Sequence, residues 1–128
     1  MNALLDTHVL LWWMADDARL SKRARDLIGD RGVRLLWSAA SSWELAIKVS
    51  LGKLRLPEPV ESYVGRRLAQ QDIHVLSVTH AHAAAVESLP PHHRDPFDRM
   101  LVAQAIQEKL VLVTPDPLVR SYDVEVAW

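Results

Sequence analysis

The chain has 128 residues, 49% of them hydrophobic, with 15 basic and 16 acidic side chains, a formal charge of -1, and no cysteine. That length predicts one domain, residues 1–128, and the apolar content suffices for a core, which excludes intrinsic disorder. Near-neutral charge excludes a whole-surface nucleic-acid binder, and the missing cysteines exclude disulfides, thiolate metal sites and cysteine nucleophiles.

In chain order, Ala3-Leu4-Leu5 reads as a short buried strand ending at Asp6-Thr7. Val9 to Met14 is apolar on every side, so this helix is expected to be deeply buried or covered by another chain. Ser21 is the expected N-cap of a second helix that buries Ala24, Leu27 and Ile28. Val33–Trp37 reads as a second strand, followed by a helix over Ser41–Leu51 that Gly52 stops. Val60–Gln71 is a further helix, and Ile73–Val78 alternates well enough for a third strand. Thr79 caps an alanine-rich helix through Ser88, which Pro90 and Pro91 break. A helix follows over Phe97–Lys109, with Asp95 or Pro96 at its start, then a fourth strand over Leu110–Val113. A short helix after Asp116-Pro117 and an edge strand over Val124–Val126 close the list. Short apolar strands alternating with helices predict an α/β fold, a mostly parallel sheet of four to five strands with helices on both faces. No apolar run approaches the roughly 20 residues that cross a bilayer. Asp6 interrupts the apolar N-terminus and no basic residue precedes it, a poor signal peptide. A cytoplasmic protein is the expectation.

Open parallel sheets bind ligands outside the carboxyl ends of their strands. Asp6 follows the first strand, Asp116 follows the fourth by three residues, and Glu44 opens the helix after the second. Asp98 joins them if the Pro-Pro loop carries its helix start to the same edge. Local structure competes for most of them: Ser41-Ser42-Trp43-Glu44 fits a capping box, Asp95-Pro96-Phe97-Asp98 a capped first turn, and Asp116-Pro117 another cap. Asp6 has the weakest structural explanation. Four converging carboxylates need raised pKa values or a cation, and an all-oxygen site suits Mg²⁺ or Mn²⁺ better than zinc. Such an ion suits phosphodiester hydrolysis.

The segments Leu4-Leu5-Asp6-Thr7, Ser38 to Lys48 with Trp43-Glu44, Asp98-Arg99-Met100-Leu101-Val102-Ala103-Gln104-Ala105, and Leu112-Val113-Thr114-Pro115-Asp116 stand in an order that resembles the PIN domain, in particular VapC-type toxins of toxin–antitoxin pairs. The resemblance covers nearly the whole chain. It implies a Mg²⁺- or Mn²⁺-dependent endoribonuclease that leaves a 5′-phosphate and a 3′-hydroxyl, is neutralised by a cognate antitoxin and forms a homodimer. The family's four acids fall on Asp6, Glu44, Asp98 and Asp116, as catalytic residues and metal ligands, and its small hydroxyls on Thr7 and Thr114. Pro115 stands where many relatives carry a basic residue. Asp95 lies outside the general pattern and is expected to cap its helix and support the site.

Arg94 and Arg99 flank the carboxylates, where they either grip RNA phosphate or neutralise the acids internally. His92 and His93 lie in a loop as ligands, proton shuttles or solvated residues, with the solvated reading ahead, and Lys48 reads as a local partner of Glu44 four residues earlier. Trp12 and Trp13 are adjacent on one helix and cannot both face one core, which suggests a covering partner. Two other classes compete. An aspartate-based phosphatase or phosphotransfer domain would use Asp6 as nucleophile, although the Asp-x-Asp pattern is broken by His8. A non-catalytic PIN-like module would bind RNA or protein with the same fold.

Overall fold

The computed structural model describes residues 1–128. Its strands are β1 (Asn2–Leu5), β2 (Arg34–Ser38), β3 (His74–Leu76), β4 (Val111–Val113) and β5 (Val126–Ala127). They form one sheet in the order β3-β2-β1-β4-β5, parallel throughout. The central strand is therefore the first one made. Leu5 lies in register with both Trp37 and Val113. Asp6, Ser38 and Thr114 consequently leave three neighbouring strands side by side at the carboxyl edge.

Side-chain alternation splits the core into two layers. Ala3, Leu5, Leu35, Trp37, Val111 and Val113 face one side. There they meet α1 (Thr7–Met14), α2 (Lys22–Gly29), α3 (Ala39–Ser50) and α4 (Val60–Gln70) through residues such as Val9, Leu27, Leu45 and Val64. Leu4, Leu36 and Leu112 face the other side, against Leu101, Val102 and Ala105 of α6 (Pro96–Glu108) and against Val119 and Tyr122. Leu4 and Leu5 are fully buried on opposite faces, and truncating either to alanine is expected to cost about 2–5 kcal/mol. The Thr79-capped helix is α5 (His80–Ala85), continued by a 3₁₀ turn over Val86–Ser88.

Several boundaries differ from expectation, each for a physical reason. Helix α3 begins at Ala39, because the hydroxyl of Ser38 accepts the Ala40 N–H and so caps it. Ser41 and Glu44 therefore lie inside the helix, and no capping box forms between them. Strand β3 is shorter than Ile73–Val78 because it is an edge strand bonded only to β2. After Asp116-Pro117 the chain makes a 3₁₀ turn at Val119–Ser121 rather than a longer helix. Helix α6 ends at Lys109, which adopts the left-handed conformation (φ 55°) and hands the chain to β4. Trp12 and Trp13 are both half-buried within the chain. Trp12 lies against Trp128 and under the Arg19 guanidinium, and Trp13 packs on the core.

Candidate active site

Asp6 is the N-cap of α1: its Oδ1 accepts the His8 N–H at 2.9 Å. Its Oδ2 accepts the Thr114 hydroxyl at 2.7 Å. So the acid with no evident local role in the sequence has one, and it is joined across 108 positions to the end of β4. Burial alone would raise the Asp6 pKa. Hydrogen bonds from His8 and Thr114 outweigh that and hold it below the usual carboxylate value, while Asp6 raises the pKa of the His8 ring beside it. Thr7 Oγ1 donates to Glu44 Oε1 at 2.8 Å and lies 2.8 Å from Ser41 Oγ. Glu44 Oε2 accepts from Lys48 Nζ at 2.7 Å. Glu44 is thus a buried carboxylate fixed by one hydroxyl and one ammonium.

Asp98 sits in the first turn of α6, which Asp95 caps by accepting the Phe97 and Asp98 N–H groups. Burial, then the charges of Asp6 and Asp95, push the Asp98 carboxyl up to about 7; nearby His93 opposes this, and Glu44 adds to it. Carboxylates from three elements are therefore close enough to feel one another. Asp116 lies beyond β4, where its Oδ1 accepts the Leu118 N–H at 2.9 Å.

His93 stands between the two. Its Nε2 is 2.6 Å from Asp116 Oδ2 and 3.2 Å from Asp98 Oδ2. The expectation of a solvated loop residue fails for it, because its side chain is only 12% exposed. His92 is exposed and lies edge-on to Tyr122. Arg99 departs from both of its expected roles. Its guanidinium donates to the carbonyls of Val86, Leu89, Pro90 and His93 and to the Tyr122 hydroxyl. It staples the loop before α6. Arg94 is exposed and forms no side-chain hydrogen bond or ion pair. Of the basic helix residues, Lys22 pairs with Asp26 and Arg25 with Asp16. From the sequence, His8 had no role at the site, Ser41 only a helix-capping one, and for His93 a solvated reading stood ahead of ligand or proton shuttle; each lies within six residues of an expected acid.

Oxygen ligands, mutual carboxylate repulsion and a raised Asp98 pKa fit a hard divalent cation. Potential ligand atoms of His93, Asp98 and Asp116 all lie within 4.8 Å of one another.

A parallel α/β sheet whose central strand ends in a hydrogen-bonded aspartate, with three more carboxylates delivered beside that edge, defines an acid-site α/β domain. Residues 3–124 match the family model described as PIN domain. The chain belongs to the PIN-domain family. Over 122 residues it is 36% identical to Ribonuclease VapC22 of Mycobacterium tuberculosis, covering 94% of this chain and 92% of that protein. Over 71 residues it is 46% identical to Ribonuclease VapC16 of the same organism, covering 56% of this chain and 49% of the relative. Its fold is similar to that in the crystal structure of VapBC2 from Rickettsia felis bound to a DNA fragment from their promoter, with TM-score 0.72, 15% identity, and coverage of 98% of this chain and 97% of that one.

Proposed function

We propose that this protein is a Mg²⁺- or Mn²⁺-dependent endoribonuclease, the toxin of a toxin–antitoxin pair. The observation that carries the reading is the crowding around Asp98, whose carboxyl is pushed up to about 7 by burial and by Asp6 and Asp95. A site built to carry only its own charges would not hold acids this close. The relative named Ribonuclease VapC22, similar over nearly the full length of both chains, supports RNA as the substrate.

Asp6, Glu44, Asp98 and Asp116 would hold the ion, which when bound neutralises phosphate charge and makes water more acidic. The chain's own residues do the positioning. Thr114 and the His8 N–H fix the two oxygens of Asp6. Thr7 and Lys48 fix those of Glu44. Arg94, exposed, without an ion pair and four residues before Asp98 in sequence, would meet an RNA phosphate. An apolar cleft of about 460 Å³ is lined by Trp43 and Phe97, the residues immediately before Glu44 and Asp98 in sequence. Trp43 is 63% exposed there, which supports a seat for an apolar segment of the antitoxin. A homodimer is part of the same reading.

The aspartyl-phosphotransfer alternative is weakened by Asp6 itself. Both of its oxygens accept hydrogen bonds and it is buried, a poor state for an attacking carboxylate. The test is cleavage of a structured RNA by the purified chain with Mg²⁺ or Mn²⁺, abolished by EDTA and by Asp98→Asn. Undiminished cleavage by Asp98→Asn would overturn the site, and a phosphorylated Asp6 would favour phosphotransfer. Relief of growth arrest by a small protein encoded beside this one, with formation of a stable complex, tests the toxin reading. Sedimentation of the purified chain tests the dimer.

A further inference from the structure

We infer that His93 is a positioning residue that serves Asp116 as a fixed Nε2–H donor beside Asp98, and that it is not a metal ligand. The inference rests on the proposed reading only in taking those two acids to hold a cation. Proximity alone would suggest the opposite, since Nε2 lies within 3.2 Å of both carboxylates. The other ring nitrogen decides the matter. The Asp95 N–H donates to Nδ1 at 3.0 Å, so Nδ1 must present a lone pair. A histidine that ligates through Nε2 presents its lone pair there and carries its proton on Nδ1. Here that proton would point at the Asp95 hydrogen across 3.0 Å. With Nδ1 unprotonated, the ring proton is on Nε2 and is donated to Asp116 Oδ2 at 2.6 Å, with Asp98 Oδ2 3.2 Å away.

Little lets the ring escape this arrangement. The His93 backbone N–H donates to the Tyr122 hydroxyl at 2.9 Å, and its carbonyl accepts from Arg99. Asp95 is in turn fixed as the cap of α6. Turning the ring over would leave the Asp95 N–H without its acceptor and take the donor away from Asp116. The effect on Asp116 is direct. Its Oδ1 is held by the Leu118 N–H and its Oδ2 by His93, so the carboxylate is oriented at both ends. His93 thereby sets the spacing between an acid beyond β4 and an acid on α6, without entering the ligand set. Loss of such outer partners typically weakens metal binding about 10–100-fold.

Long-range ¹H–¹⁵N NMR reads the tautomer in the unmodified protein, with the His93 signals identified by their absence in His93→Gln. The expected result is a protonated-type Nε2 and a lone-pair-type Nδ1, both in metal-free protein and at saturating Mg²⁺. The reverse tautomer, or loss of the Nε2 proton when Mg²⁺ is added, would overturn the inference. A second arm measures Mn²⁺ binding by electron paramagnetic resonance without RNA. His93→Ala should weaken binding about 10–100-fold, and His93→Gln, whose amide can donate from the same reach, should recover most of the loss. Unchanged Mn²⁺ affinity in His93→Ala would overturn the positioning role. Neither readout depends on catalysis. Absence of RNA cleavage alongside the expected tautomer would sink the ribonuclease reading and leave this inference standing.

Discussion

The two halves of the acid site solve the same electrostatic problem in opposite ways. Asp6 and Glu44 are buried beside the central strands, and each receives donors on both oxygens: backbone amide and hydroxyl for one, hydroxyl and ammonium for the other. Hydrogen bonding there outweighs desolvation and lowers the Asp6 pKa. Asp98 is more exposed, yet burial and neighbouring carboxylates raise it to about 7. Its side chain has His93 beside it at 3.2 Å, but that ring gives its hydrogen bond to Asp116. Exposure alone therefore does not set the charge state; the supply of donors does. The helix-side half is where an added positive charge has most to gain.

Activity gives the harshest test of this contrast. Asp6→Asn and Asp98→Asn should each lower RNA cleavage by more than the roughly 100-fold typical of losing an outer partner of a metal site, measured at saturating Mn²⁺. A variant that keeps wild-type rates would remove its acid from the site. Stability should separate the same two residues by sign. In metal-free protein at pH 8, Asp98→Asn should stabilise, because it removes a carboxylate whose charge burial and its acidic neighbours disfavour. Asp6→Ala should destabilise by about 1–3 kcal/mol, through a lost cap and an orphaned Thr114 hydroxyl. Urea unfolding checks both, and a common sign would break the comparison.

The pH dependence follows from the same shift. A carboxyl whose folded pKa is raised binds more protons folded than unfolded, so stability falls as pH rises from about 4 through about 7. His8, raised by Asp6, adds a loss of the same sign as pH climbs above its ordinary 6.5. Thermal melts of metal-free protein between pH 4 and 8 should show the decline, Asp98→Asn should flatten its lower part, and Mg²⁺ should restore stability above pH 7. A pH-independent melting temperature would contradict the raised Asp98. Thr7→Val should cost about 1–3 kcal/mol by leaving Glu44 short of a donor, again read by urea unfolding. The smallest effect is expected at the rim. Arg94→Ala should leave stability within about 0.5 kcal/mol while weakening RNA binding to a catalytically dead variant, whereas Arg99→Ala, which strips four carbonyls of a donor, should destabilise measurably.

Much of the architecture was legible because it is written in local patterns. Short apolar strands at Leu4, Leu36 and Leu112, with the caps at Ser21, Thr79 and Asp95, were enough for the parallel α/β arrangement. The errors arose where two local explanations compete or where a partner is remote. Ser38 and Ser41 are both plausible caps; Ser38 takes the cap, and the carboxylate of Glu44 then bonds Thr7, 37 positions away, rather than its own helix start. His93 looked like a loop histidine because Asp116, its closest partner, lies 23 residues away. Arg99 looked like a phosphate grip because a run of charges hides that its acceptors are backbone carbonyls, which carry no sequence signature.

The contact between Thr114 and Asp6 has a consequence for the order in which the protein comes into being. A chain emerging from its N-terminus makes β1 first, yet β1 is the middle strand and waits for β4 to flank it. Contacts separated this widely in sequence form late. Asp6 lacks its hydroxyl donor, and Asp98 lacks the acid across His93, until Thr114 and Asp116 have been synthesised. From Glu44 onward the nascent chain carries two of its four acids without the floor that aligns them, and Asp98 joins them only 18 residues before Asp116, so whatever chemistry the finished site performs is switched on by the completion of its own sheet.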